Sequence, residues 1–210
     1  MRNYLLALLV AIVGCSSGKS PDHDYLWLDP DVQLKVQNSF EEIKISRPQI
    51  EFSNSSTASN CEQYFRHEGG VAETAANYAA RSHYLVCDAL MLAETWPPKS
   101  GGKPLDRDLS LCSSLNLASF KHSLRPRIET ENATLTQLFG AEAVDGVNTC
   151  TFQGEDRNFV LNAVLLVNEP KKPKKMWVWV IDEILDATYR SYEPVWFVFD
   201  ESKSMWIATQ

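Results

Sequence analysis

Three carboxylates, Asp182, Glu183 and Asp186, follow a strand-like apolar run near the end of the chain. Paired carboxylates about 5 to 9 Å apart are the equipment of glycoside hydrolysis, one as acid and one as base or nucleophile. Acidic residues where a strand passes into a loop are also ordinary surface features. Asp182 and Glu183 are therefore candidates for hydrolysis and no more. A second group is Lys171, Lys172, Lys174 and Lys175, which immediately precede Trp177. Lysines beside a tryptophan could hold a phosphate or sugar polymer. They also serve as charges that guard an aggregation-prone strand. Lys171, Lys172, Lys174, Lys175 and Trp177 are the binding candidates of the chain.

The histidines carry little. His83 lies near Cys87 and Asp88, and His122 lies near Arg125 and Arg127. A catalytic histidine needs a positioned partner and a cleft, and the sequence displays neither. Asp22, His23 and Asp24 are consecutive, a poor arrangement for converging on one ion. His67-Glu68 lacks the second histidine of HExxH, and Gly101-Gly102-Lys103 runs into Pro104 rather than forming a phosphate loop. Asp29-Pro30-Asp31 lacks the glycine of a calcium-binding loop. No catalytic residue, metal site or cofactor is assigned.

Five cysteines are present: Cys15, Cys61, Cys87, Cys112 and Cys150. Setting Cys15 aside leaves an even number with no CxxC pair, which reads as two disulfides in an exported chain. Three connectivities are open. Closing the nearer partners costs less loop entropy and favours Cys61–Cys87 with Cys112–Cys150.

These residues need elements to hold them. Asp29-Pro30-Asp31 looks like a helix start, with Val32, Val36, Phe40 and Ile43 at helical spacing. Residues 53–60 form a polar loop. The strongest helical stretch runs from about Val71 to Thr95, stopped by Trp96-Pro97-Pro98. Asp108 is placed to cap a helix reaching Phe120, and a short helix is expected from Thr134 to Phe139 with Gly140 beyond. After Asn148 the pattern becomes strand-like at 150–153, 159–167, 176–181, 195–199 and 205–208. Trp177 and Trp179 share one face and Val178 and Val180 the other, so both faces of this sheet want cover. The expected fold is α+β, a helical N-terminal half packed on a C-terminal antiparallel β-meander.

The first residues decide the compartment. Arg2 is followed by the apolar run Leu5 to Val13, the length of a signal-peptide core and too short to span a bilayer. Ile12-Val13-Gly14-Cys15 resembles the lipobox of bacterial lipoproteins, with Ile12 where that family prefers Leu. The resemblance covers residues 1–15 alone. It implies cleavage before Cys15, acylation of that cysteine, and a membrane anchor. Ser16 after the cysteine, by the same resemblance, directs the protein to the outer membrane, facing the periplasm. Residues 16–24 read as a tether. The expected organisation is a signal peptide at 1–14, a lipidated cysteine and tether at 15–24, and one α+β domain at 25–210. In a bacterium the sequons at Asn54 and Asn132 carry little weight.

Composition is that of a globular protein, 44% apolar and 22% charged, with a formal charge of −7. That acidity argues against nucleic-acid binding and against adhesion to anionic lipid through general charge. It favours a cationic partner. The expected function is a membrane-anchored, non-enzymatic lipoprotein that binds another envelope component, protein or glycan. The alternative is an inhibitor or immunity lipoprotein against a wall-degrading enzyme or toxin. A periplasmic hydrolase using Asp182 or Glu183 comes third.

Overall fold

The structure, a computed structural model, describes residues 24–67, 69–99 and 109–209. The lipobox, the tether up to His23 and the cap expected at Asp108 lie outside the described residues.

A curled antiparallel sheet, a half-barrel, dominates the C-terminal part. Its strands are β1 (Asp24–Trp27), β4 (Ala143–Asp145), β5 (Thr149–Gln153), β6 (Arg157–Asn168), β7 (Lys175–Ile184), β8 (Arg190–Asp200) and β9 (Met205–Ala208). Strands β4 to β9 lie in sequence order, as hairpin connections require. The short β2 (Ile50–Glu51) and β3 (Thr57–Ala58) pair separately.

The long strand β6 has two partners along one edge. β5 covers Asn158–Asn162, and β1 covers Leu165–Asn168. Between them the ladder with β7 slips at Ala163/Leu165. Such a bulge adds one residue and reverses which side chains face which way. Phe159, Leu161 and Ala163 thus join one core, while Val164, Leu165 and Val167 join the other.

The sheet has a core on each face. On one side lie α1 (Pro30–Gln37), α2 (Ser39–Glu42), α3 (Cys61–Tyr64), α4 (Ala75–Arg81) and α5 (Leu85–Ala93). Val32, Val36, Tyr84 and Leu90 pack there against Leu165 and Trp177. On the other side the segment after Leu109, with α6 (Leu111–Ser114) and α7 (Leu135–Phe139), places Leu111, Leu115, Leu117 and Leu124 over Phe159, Val178 and Phe197. The disulfide Cys61–Cys87 ties α3 to α5, and Cys112–Cys150 ties the covering segment to β5.

This arrangement corrects the expected helical N-terminal half. Helix and strand occupy near-equal shares of the described residues, 30% and 32%, and the helices are short, so the sheet organises the molecule. The stretch expected as one helix from Val71 to Thr95 begins only at Ala75. Val71 instead bridges Phe52, and the Ala72 N–H donates to the Glu51 carbonyl. Thr74 caps α4 by accepting from the Asn77 N–H, and a 3-10 turn at Ser82–Tyr84 separates α4 from α5. The first helix also stops early, at Gln37, leaving Phe40 73% exposed. The β-strand β1 was not expected at all. Two apolar sheet faces need cover, so the polypeptide divides itself between them rather than stacking helices on one side. No helix among the described residues is long and apolar enough to cross a membrane.

Candidate binding cleft

The acidic group proposed for hydrolysis separates. Asp182 and Glu183 are consecutive on β7, and successive strand residues point to opposite faces. Asp182 is buried and fully engaged. Its Oδ1 accepts from Ser123 Oγ at 2.6 Å, and its Oδ2 accepts from the Ser123 N–H at 2.6 Å and the Tyr189 hydroxyl at 3.1 Å. Arg157 Nη1 donates to the same Ser123 Oγ at 3.1 Å. Glu183 instead accepts from Asn158 Nδ2 and the Tyr192 hydroxyl across the neighbouring strands. The carboxyl of Glu183 resists burial, but those hydrogen bonds prevail and hold its pKa below the ordinary value. Asp186 is exposed in the following turn. Two carboxylates on opposite faces cannot flank one glycosidic bond.

His122 is no general base either. Its Nδ1 accepts from the Leu124 N–H and its Nε2 donates to the Leu117 carbonyl, so both ring nitrogens serve the backbone. Burial pushes its pKa down. Although Ser123 and Asp182 are adjacent, the serine hydroxyl bonds to the carboxylate rather than to imidazole. The group anchors the 120–124 segment to the sheet. His83 is exposed. Cys112, Asp145 and Cys150 cluster, but the two sulfurs are bonded to each other and Asp145 accepts from the Cys112 N–H. Gly14 to Gly18 spell G-x-S-x-G, but the five straddle the expected cleavage point at Cys15 and lie outside the described residues, so no nucleophile elbow is assigned.

The basic group divides as well. Lys171, Lys172 and Lys174 are exposed on the β6–β7 turn, and Lys175 is half-buried where β7 starts. Lys172 pairs with Glu169, and Lys171 has a positive φ of 64°. Trp177 is 3% exposed and packs in the helix-side core, T-shaped against Trp179. The expectation that Trp177 binds beside the lysines is therefore corrected: its indole is part of the core and presents no surface.

A cleft of about 470 Å³ opens instead between α3, α4, α5 and β8. Its floor is a polar triangle. Arg81 Nη2 pairs with Asp88 Oδ2 at 2.9 Å, Arg81 Nη1 donates to the Tyr64 hydroxyl at 2.7 Å, and that hydroxyl donates to Asp88 Oδ1 at 3.2 Å. The Cys61–Cys87 bridge sets this geometry, since Tyr64 stands one helical turn from Cys61 and Asp88 adjoins Cys87. Burial, then the Asp88 charge, pushes the Tyr64 hydroxyl up to about 12, so it remains a donor. Burial also raises the Asp88 carboxyl, although Arg81 works against this.

Glu193 lines the cleft from β8 and is open to solvent. Crowding of its carboxyl by packed atoms pushes its pKa up, Arg81 opposes, and Asp88 adds to the rise. Glu73 lines the cleft too. With Arg81 the cation there against Asp88, Glu193 and Glu73, the ionised cleft carries an excess of negative charge. The rim is apolar: Phe65 and Tyr78 are each 38% exposed and Met91 51%. Gly69, at φ +115°, adopts a conformation side-chain-bearing residues rarely take, and it passes the chain along one wall.

None of these lining residues was singled out from sequence, apart from Asp88 as a neighbour of His83. One signal was present. Arg81 and Asp88 are seven residues apart, two helical turns, the spacing that stacks side chains on one face. Glu193 carries no such signal, because only tertiary packing brings β8 to α4. Compared with protein-family models, curated proteins and solved structures, the chain matches none.

Proposed function

We propose that the protein is a lipid-anchored binding protein of the bacterial envelope, held by an acylated Cys15 and facing the periplasm at the outer membrane. It acts by binding, and the cleft between α3, α4, α5 and β8 receives a basic side chain of a protein partner. The observation that carries this reading is the pairing of an exposed apolar rim with a floor of excess carboxylate. Exposed aromatic and Met side chains around a recess are the form of an interface hot spot. The carboxylates select a cation, and a tether raises the effective concentration of the protein toward partners at the same surface. The tied-up state of Asp182 and His122 gives a hydrolase no support. A cationic wall-degrading enzyme or toxin is one partner of the right charge, which keeps the inhibitor or immunity function within this reading.

The experiment is cross-linking of the protein in intact cells, followed by purification and identification of what travels with it. Glu193→Gln and Tyr78→Ala alter the mouth of the cleft and leave the Arg81–Asp88 hydrogen bond in place, and Glu193→Lys is the charge-reversed control, since Glu193 feels the charge of both. Each of the first two is expected to reduce capture of a stoichiometric partner about 30-fold. Capture of the same partner at the wild-type level by both variants overturns the assignment of the cleft.

A further inference from the structure

The β1–β6 register places Asp24 opposite Asn168, at the mouth of the turn that carries Lys171, Lys172 and Lys174. Lys174, Asp24, Tyr25 and Asn168 line one hollow there. Lys99 stands over the Tyr25 ring nearby, its ammonium 4.2 Å from the ring centre. Eight residues lie between Cys15 and Asp24, and the nine steps span at most about 30 Å when fully extended. An acyl group on Cys15 therefore keeps Asp24 within about 30 Å of the bilayer surface.

We propose that the Lys171–Lys175 turn is a membrane-contact surface, which seats the anchored end of the molecule on anionic phospholipid headgroups. The proposal rests on the lipid-anchor reading above. Its occupant is chosen by where the chain outside the structure ends and by charge. The turn carries four lysines against Glu169, and Lys99 stands over Tyr25, the chain neighbour of Asp24. The neighbouring β8–β9 turn brings Asp200, Glu201 and Lys203 to the same end. Among the described residues just named, six lysines stand with four carboxylates, on a chain whose formal charge is −7. General acidity of the chain thus misleads about lipid, because the charge is distributed unevenly. The acyl anchor holds the molecule at the membrane, and a basic patch beside it adds attraction to anionic headgroups that orients the domain. The same seating points the cleft away from the bilayer. Glu193 is seven residues along β8 from Asp200, roughly 23 Å.

The test reconstitutes the full chain purified from membranes into vesicles of phosphatidylcholine alone, or with about one-third phosphatidylglycerol. Amine labelling is then followed lysine by lysine by mass spectrometry. Flotation with the neutral vesicles reports the anchor, independently of the turn. For protein that floats, labelling of Lys171, Lys172 and Lys174 is expected to slow about fivefold in the anionic vesicles and to recover in about 0.5 M salt, with Lys44 and Lys121 unchanged. Equal labelling in both vesicles overturns the turn proposal and leaves the anchor standing. If nothing floats with neutral vesicles, the anchor reading fails and the turn is judged by flotation with anionic vesicles. Loss of that flotation in the K171E/K172E/K174E variant supports the turn, and its retention, or no flotation of the wild type, overturns it.

Discussion

Removing Arg81 strands a charge. Its guanidinium and the Asp88 carboxylate are mostly buried, with side chains 12% and 17% exposed. Breaking such a pair from one side costs about 3 kcal/mol, because the remaining ion lacks both water and a partner. Arg81→Met keeps the aliphatic stem and is expected to lower stability by about that amount. Urea unfolding reads it, and an unchanged midpoint would contradict the role given to the triangle. His122 supplies a pH dependence. Burial lowers its folded pKa below the ordinary 6.5. Above that pH both states are neutral and the full stability is present. As pH falls below it, the unfolded chain takes up a proton that the folded chain refuses, so stability is lost toward the folded pKa. Asp88, raised by burial, acts in the opposite sense and gains as it protonates. The difference between wild type and His122→Gln isolates the histidine. The gap in urea midpoint between about pH 7.5 and about pH 5.5 is expected to shift toward acid stability in the variant.

At the scale of elements, the segment from Leu109 to Glu142 is the vulnerable part. It covers one sheet face with short helices and 3-10 turns, and only a parallel bridge from Leu115 to Trp206 and a few hydrogen bonds join it to the edge strand. Its firm attachments are the Ser123–Asp182 contact and the Cys112–Cys150 bridge, which closes a 38-residue separation. Loop-entropy reasoning gives that bridge about 4 kcal/mol. Cys112→Ala/Cys150→Ala is expected to lose most of it. Hydrogen exchange is expected to quicken first at Leu115 and Leu117 rather than in β6 and β7. Uniform quickening across both would show that the segment and sheet open together. On the helix side, α4 depends on its cap. Thr74→Ala removes the acceptor for the Asn77 N–H and is expected to cost about 1 kcal/mol in a thermal or urea melt.

For the whole molecule the governing arrangement is a half-barrel with β1, the strand into which the proposed anchor would lead, at one end and the cleft toward the other. Under the proposed anchor, Cys15→Ser is expected to release the protein from membranes, read by fractionation. A variant processed normally and still bound to membranes would remove the anchor from the account. The cleft variants Glu193→Lys and Tyr78→Ala are expected to leave membrane attachment intact, since the two ends act separately.

The local signals were readable in sequence because they depend on neighbours along the chain. The strand pattern marked β5, β6 and β9 to within about two residues, whereas β7 runs on to Ile184 and β8 begins at Arg190, five residues before the expected start at 195, and Thr134 with Gly140 bracketed α7. Counting cysteines and weighing loop closure led to the pairing that the structure contains. Tertiary structure alone decided the rest. Asp29 accepts from Asn162, 133 residues away, and this fastens α1 beside the bulge of β6. The side chain of Asn77 bonds the backbone of Glu51 and Ala72, so residues 71–74 run beside β2 instead of extending the helix. Trp177 was a binding candidate because lysines precede it in the chain, and the packing of the helix side puts its indole in the core while Lys171, Lys172 and Lys174 stay exposed. The cleft was also decided by packing. Helical periodicity relates Arg81 to Asp88, but no spacing along the chain relates either of them to Tyr64 or Glu193, and only the folded packing of α3 and β8 does so.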